Sequence, residues 1–124
     1  MKILGLDHLQ LAIPPGGEEL ARNFYGSALG LEEIPKPPVL AARGGLWFAC
    51  GSQQLHLGIE QDFRPARKAH PGLLVDDLDS VIRTLSEAGH AVRPGEALQG
   101  MRRCFVDDPF GNRLEFVERQ ETTA

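Results

Sequence analysis

Over residues 3–13, Leu9, Leu11 and Ile13 alternate with His8, Gln10 and Ala12, the two-residue period of a strand with one buried face. Pro14-Pro15-Gly16-Gly17 interrupts it. Residues 18–29 switch to helical spacing, with Leu20, Phe24 and Leu29 on one side and Gly30 placed as the C-terminal cap. Three short strands are expected next, at 31–34, 46–50 and 54–59, the last two joined by a tight turn at Gly51-Ser52. From residue 70 the same order starts again. A strand over 70–75, weakened at its start by Pro71 and Gly72, leads into a helix carrying Leu78, Val81, Ile82 and Leu85 and ended by Gly89. Asp76, Asp77 and Asp79 load the start of that helix with the negative charge its dipole favours. Strands at 90–92, 102–107 and 113–118 close the pattern. Asp108-Pro109-Phe110-Gly111-Asn112 forms the last turn, with proline and glycine where a hairpin needs them.

The spacing confirms that the chain is written twice. Gly30 and Gly89 lie 59 positions apart (30 to 89), and so do His56 and Glu115 (56 to 115). His8 and His70 lie 62 apart (8 to 70), and the extra Pro-Pro-Gly-Gly loop falls in that interval. The pattern predicts an α+β fold of two βαβββ modules, at 1–60 and 70–118. A loop-rich linker at 61–69 joins them and a short tail at 119–124 follows, the whole forming a single domain, as 124 residues allow.

Composition narrows the function. A net charge of −4 gives no electrostatic footprint for nucleic acid. No apolar run approaches the roughly 20 residues that cross a bilayer, and the first 13 residues lack the pattern of a signal peptide. Cys50 and Cys104 sit on separate apolar segments and make no disulfide scaffold. A cytoplasmic protein with a small-molecule substrate, and with neither nucleic acid nor membrane as partner, is expected.

The polar residues of the repeat carry the candidate chemistry. His8 and His70 open equivalent strands, and His56 and Glu115 sit centrally in equivalent final strands. By parity, His8 and Gln10 share one face of their strand and Leu9, Leu11 and Ile13 the other; Gln54, His56 and Gly58 stand opposite Leu55, Leu57 and Ile59; Arg113 and Glu115 stand opposite Leu114 and Phe116. One face is therefore apolar, for the helices, and the other concentrates histidine and glutamate. Taken singly, His8 reads as an ordinary hydrogen-bonded histidine and Glu115 as a solvated charge. Taken together, three of the chain's four histidines fall on repeat-related positions. Imidazole nitrogen and carboxylate oxygen are ligands for zinc, nickel, iron or manganese, so one divalent metal ion held by His8, His56, His70 and Glu115 is expected. The fourth histidine, His90, follows a helix and reads as surface.

Asp7-His8-Leu9-Gln10-Leu11, Phe24-Tyr25 through Leu29-Gly30-Leu31, Val75-Asp76-Asp77-Leu78-Asp79 and above all the run from Phe105 to Phe116 resemble the vicinal-oxygen-chelate superfamily. That superfamily includes glyoxalase I, bleomycin-resistance proteins, ring-cleaving dioxygenases, methylmalonyl-CoA epimerase and fosfomycin-inactivating thiol transferases. The resemblance implies a cupped mixed sheet with helices on its outer face, a homodimer that completes each site, and metal ligands at His8, His56, His70 and Glu115. A His-His-His-Glu set matches no one subfamily outright. The phosphonate-binding pattern of the fosfomycin enzymes is not visible at 100–105, ring-cleaving dioxygenases are longer, and no glutathione site is identified.

If the strands align as in the family, Trp47, Ala49, Arg103 and Phe105 also face the cup, and Trp47, Arg103 and Phe105 are substrate-binding candidates. An inward Arg103 suits an anionic group held bidentately, or else an internal ion pair. Arg43, Arg64, Arg67 and Lys68 read either as a basic rim that steers anions or as solvated loops. Retained metal ligands favour a metal-dependent, glyoxalase-like lyase or isomerase acting on a small, oxygen-rich, anionic substrate, with Glu115 as catalytic proton carrier. The alternatives are a non-catalytic ligand-sequestering protein of the bleomycin-resistance type, or a metal-thiol transferase.

Overall fold

In the computed structural model, which describes residues 1–120, strand β1 (His8–Ile13) runs parallel to the final strand of its own unit, β4 (Gln53–Ile59). Leu9 lies opposite Leu55, Leu11 opposite Leu57 and Ile13 opposite Ile59. On the other side of β4, β3 (Leu46–Cys50) runs antiparallel and sets Leu46 opposite Leu57 and Phe48 opposite Leu55. The two-residue β2 (Glu33–Ile34) completes the order β1-β4-β3-β2. Opposed residues share a face, so these pairs collect Leu11, Ile13, Leu46, Phe48, Leu55 and Leu57 into one buried layer. The chain divides into two compact units between Pro65 and Ala66, inside the segment read as a linker.

The second unit repeats the plan. β5 (Gly72–Leu74) runs parallel to β8 (Arg113–Arg119), β7 (Met101–Asp107) pairs antiparallel with β8, and β6 (Arg93–Pro94) adds the edge, in the order β5-β8-β7-β6. Cys104 opposite Phe116 and Val106 opposite Leu114 make the buried face. Helix α3 (Leu78–Glu87) covers it with Leu78 and Leu85. Asp77 caps the helix by accepting the Ser80 amide at 3.1 Å. Two mixed four-stranded sheets, each with helix on its apolar face, make the α+β fold that the repeat predicts. No helix among the described residues is long and apolar enough to cross a membrane.

Several boundaries differ from expectation, each for a local reason. Strand β1 starts at His8 rather than residue 3, because its partner β4 begins at Gln53, opposite that end, and offers no ladder further back. The first helix begins as α1 (Glu18–Ala21) and continues as a π-helix over Arg22–Ala28, closed by Leu29 N–H donating to the Phe24 carbonyl at 2.9 Å. Its buried stripe is Ala21, Phe24 and Tyr25; Tyr25 packs against Phe24 and Phe48, and Leu20 is left 58% exposed. Only Glu33 and Ile34 of the stretch 31–34 find ladder partners, on Phe48 and Trp47. A short helix, α2 (Pro38–Ala41), occupies a stretch where none is expected.

At the end of α3, Gly89 (φ +90°) and His90 close the last turn, donating to the Ser86 and Leu85 carbonyls. That closure occupies His90, so the strand expected at 90–92 is displaced to β6. The strand expected over 70–75 shortens to β5, since Pro71 has no N–H to give a ladder. Arg119 belongs to β8, so the tail expected at 119–124 begins later, and its residues 121–124 lie outside the described residues.

The turn into β8 is a buried polar knot. Asp108, only 4% exposed, accepts from the Phe110 amide, the Asn112 amide and Asn112 Nδ2 at 2.9–3.0 Å. Asn112 Oδ1 accepts from Ala66 N–H, and Ala66 O accepts from Arg113 N–H. Removing the Asp108 carboxylate strands several buried donors at roughly 1–3 kcal/mol each. Asp108→Ala is therefore expected to lower unfolding free energy by about 3 kcal/mol in denaturant titrations. A loss under about 1 kcal/mol would contradict this account of the turn.

Candidate functional site

The polar face of the first unit carries a stack of three rings. Trp47 and His56 are directly opposed across β3 and β4, and their rings lie parallel, 3.9 Å between centroids and 4° between planes. The His8 ring, from the start of β1, stacks on His56 at 4.3 Å and 19°. Between these rings His56 is 4% exposed, while His8 remains on the surface with Nδ1 2.9 Å from Asp7 Oδ2. His56 Nε2 lies 2.8 Å from Gln54 Oε1. The amide oxygen accepts, so Nε2 carries the hydrogen and Nδ1 the lone pair. Burial, then the neighbouring His8 and Lys36, holds the His56 pKa below its ordinary value against an opposite pull from Asp7.

The polar face of the second unit gathers His70, Glu115, Arg103 and Phe105. His70 lies two residues ahead of β5, yet its side chain is only 26% exposed. Its Nδ1 is 2.8 Å from the Lys68 carbonyl and its Nε2 is 2.9 Å from Glu115 Oε1. A carbonyl only accepts, so Nδ1 carries hydrogen. A neutral ring then turns its Nε2 lone pair toward a carboxylate oxygen, an arrangement that needs a proton or a cation between them. Arg103 Nη1 donates to the other oxygen, Oε2, at 3.3 Å. Phe105, directly across the ladder from Glu115, meets the His70 ring edge-on at 5.7 Å and lies 5.4 Å from both the Arg103 and the Arg113 guanidinium.

The donor chemistry of these residues fits a divalent metal, unequally in the two units. His70 and Glu115 present a nitrogen and an oxygen 2.9 Å apart, and the far ring nitrogen is tied to a backbone carbonyl, the support that orients metal-bound histidines. His8 and His56 offer the right atoms on one sheet face. As stacked, however, their lone pairs lie in nearly parallel planes and do not aim at a common point. Among the described residues no three His, Cys, Asp or Glu side chains are gathered closely enough to hold an ion.

The basic residues sort into separate places. Arg43 lines a hollow of about 220 Å³ in the first unit with Lys36, Gln10 and Trp47. Arg67 joins Arg93 and Arg113 in one of about 340 Å³ in the second. Lys36, Arg93 and Gln54 were not singled out by spacing. Parity places Gln54 beside His56, but Arg93 lies in the strand whose position the helix closure displaced. A third hollow, of about 400 Å³, lies between α3 and the β6–β7 edge, lined by Leu78, Ile82, Val92 and Cys104. Ser86, Arg102 and Arg103 line it as well, and burial pushes the Cys104 thiol pKa up, which disfavours a thiolate nucleophile there.

A buried histidine whose pKa is depressed stabilises the fold only while neutral. That stabilisation is complete above the unfolded value near 6.5 and is lost as pH falls through the lower folded value. Unfolding free energy, measured with chelator present, is therefore expected to drop as pH falls below about 6.5. In His56→Phe, which keeps a ring against Trp47, the drop should be shallower. An identical slope in the two proteins would contradict the assignment.

Comparison with known proteins places this geometry. Residues 5–116 match the family model of the Glyoxalase/Bleomycin resistance protein/Dioxygenase superfamily. A glyoxalase family protein from Bacillus anthracis is 48% identical, over 97% of this chain and 98% of its own, with a TM-score of 0.93. A glyoxalase/dioxygenase from Nostoc punctiforme is 23% identical, covering 90% of each chain at a TM-score of 0.73. Lactoylglutathione lyase from Agrobacterium tumefaciens is 21% identical, over 95% of this chain and 96% of its own, at 0.71. The last two share the fold alone. No curated protein matches the chain. A family match over nearly the whole length and a relative of almost half identity make the chain a member of the Glyoxalase/Bleomycin resistance protein/Dioxygenase superfamily.

Proposed function

We propose that this protein is a metal-dependent enzyme of the lyase or isomerase type, acting on a small, oxygen-rich, anionic substrate, with His70 and Glu115 as the metal-ligand pair of the second unit and His8 and His56 as the candidate ligands of the first. The observation that carries the reading is the His70–Glu115 pair, in which Lys68 O fixes the ring so that Nε2 and a carboxylate oxygen meet at 2.9 Å. Members of the superfamily commonly bind a metal. When bound, it would supply Lewis-acid polarisation of adjacent substrate oxygens.

The remaining roles belong to the chain's own side chains. Arg103 holds Glu115 Oε2 and orients the carboxylate, leaving Oε1 for His70 or for a proton taken from the substrate. Phe105 walls that carboxylate on the β7 side, and the ring edge keeps His70 upright. In the first unit, Gln54 holds His56 by Nε2 and leaves Nδ1 as the coordinating atom, and Trp47 stacks parallel on the ring and fixes its plane.

A second reading draws on that same stack. Trp47, His56 and His8 form a column of stacked rings, and a planar ligand stacking on its end would suit a sequestering protein without turnover. Elemental analysis separates the two. The tag-free protein should carry about one transition metal per chain, and His70→Ala and Glu115→Ala should lose most of it while staying folded. No metal in the parent after incubation with zinc, nickel, iron or manganese would overturn the enzyme reading and leave the sequestering one.

A further inference from the structure

Three guanidinium groups surround the hollow beside β8, and one carboxylate opposes them. Arg67, Arg93 and Arg113 line it together with Asp107 and Gly111, around about 340 Å³ of space. Arg93 pairs with Asp107 at 2.9 Å. Arg113 has its guanidinium against the Phe105 ring and no carboxylate partner among the described residues, and Arg67 has none either. Two positive charges are thus left uncompensated at one spot on a chain whose net charge is −4.

The scaffold holds these groups in place. Arg67 follows Ala66, whose N–H and carbonyl are tied to Asn112 and Arg113 in the buried turn. Arg93 stands opposite Phe105 across the β6–β7 ladder, and Asp107 stands opposite Arg113 across β7–β8. All three arginines therefore hang from hydrogen-bonded backbone, and Arg113 is two residues along the same strand face from Glu115.

We propose that this hollow is a binding site for a dianionic phosphoryl group, the charged end of a larger substrate whose remaining atoms reach toward Glu115. Guanidinium forks bind tetrahedral oxyanions through paired N–H donors. The uncompensated charge of two selects a dianion over a carboxylate, which would neutralise only half of it. This deepens the enzyme reading by giving its substrate an anionic end, and it rests on that reading only in calling the ligand a substrate.

The test is isothermal calorimetry on chelator-treated full-length protein with inorganic phosphate, phenyl phosphate and acetate. Saturable one-to-one binding of both phosphates is expected, phenyl phosphate at least as tightly, with acetate roughly tenfold or more weaker. Arg113→Ala should weaken phosphate binding by at least about tenfold. Arg67→Ala, at an exposed position where folding is not at stake, should weaken it in the same direction. Glu115→Ala should leave it unchanged, so that failure of the metal reading and failure of this site give different results. Absence of saturable phosphate binding, equal affinity for acetate, indifference to Arg67→Ala and Arg113→Ala, or loss in Glu115→Ala would overturn the proposal. Binding of inorganic phosphate alone would overturn its assignment to a larger substrate.

Discussion

Slipping β8 by one residue against β7 would drive Glu115 into the core and turn Phe116 out to solvent. Everything at the site hangs on the register that prevents this: Phe105 opposite Glu115, Val106 opposite Leu114 and Asp107 opposite Arg113. Burial of Leu114, Phe116, Cys104 and Val106 enforces it from one side of the sheet. The Asp108–Asn112 knot supports it from the turn, because a slip would break its buried hydrogen bonds. In the first unit, the matched rows Leu9–Leu55, Leu11–Leu57 and Ile13–Ile59 play the same part for His56. Packing on the apolar face thus decides which residues can do chemistry on the other.

Because that constraint is a period of two, it was legible in the sequence. Alternation around His56 and Glu115 sufficed to place both on the polar face, and equal spacing between modules sufficed to pair them. Strand β3 matches its expected span, and β4, β7 and β8 are each missed by a single residue at an end. What alternation could not show is how far a strand finds partners. Residues 3–7 have apolar character but face no ladder, and Ile3, Leu4 and Leu6 stay exposed. Helical details failed for similar reasons. A π-helical segment and a glycine closure at Gly89 each depend on backbone bonds to specific carbonyls, which side-chain hydrophobicity does not encode.

Side-chain partnerships lay further out of reach. Two of the substrate candidates read from the sequence, Arg103 and Phe105, do lie against Glu115 or its neighbour His70, but Arg103 spends one nitrogen on an ion pair inside the protein. Of the two outcomes weighed for that arginine, the internal ion pair is the one the structure shows. The stacking of His8 on His56, with Trp47 beyond, is a rotamer choice, and no spacing rule expresses it. Arg67 was read among the basic residues near strand ends, whereas its grouping with Arg93 and Arg113 needed the displaced edge strand β6 to be seen.

The central claim is that Lys68 O presents His70 Nε2, with Glu115, to a divalent cation. Histidine-selective nitrogen–proton NMR of the metal-free protein during zinc addition tests it most directly. The account predicts that His70 Nδ1 keeps its hydrogen throughout while the Nε2 resonance shifts as zinc fills the site. A His70 ring that neither shifts nor broadens with zinc, nickel, iron or manganese would contradict it.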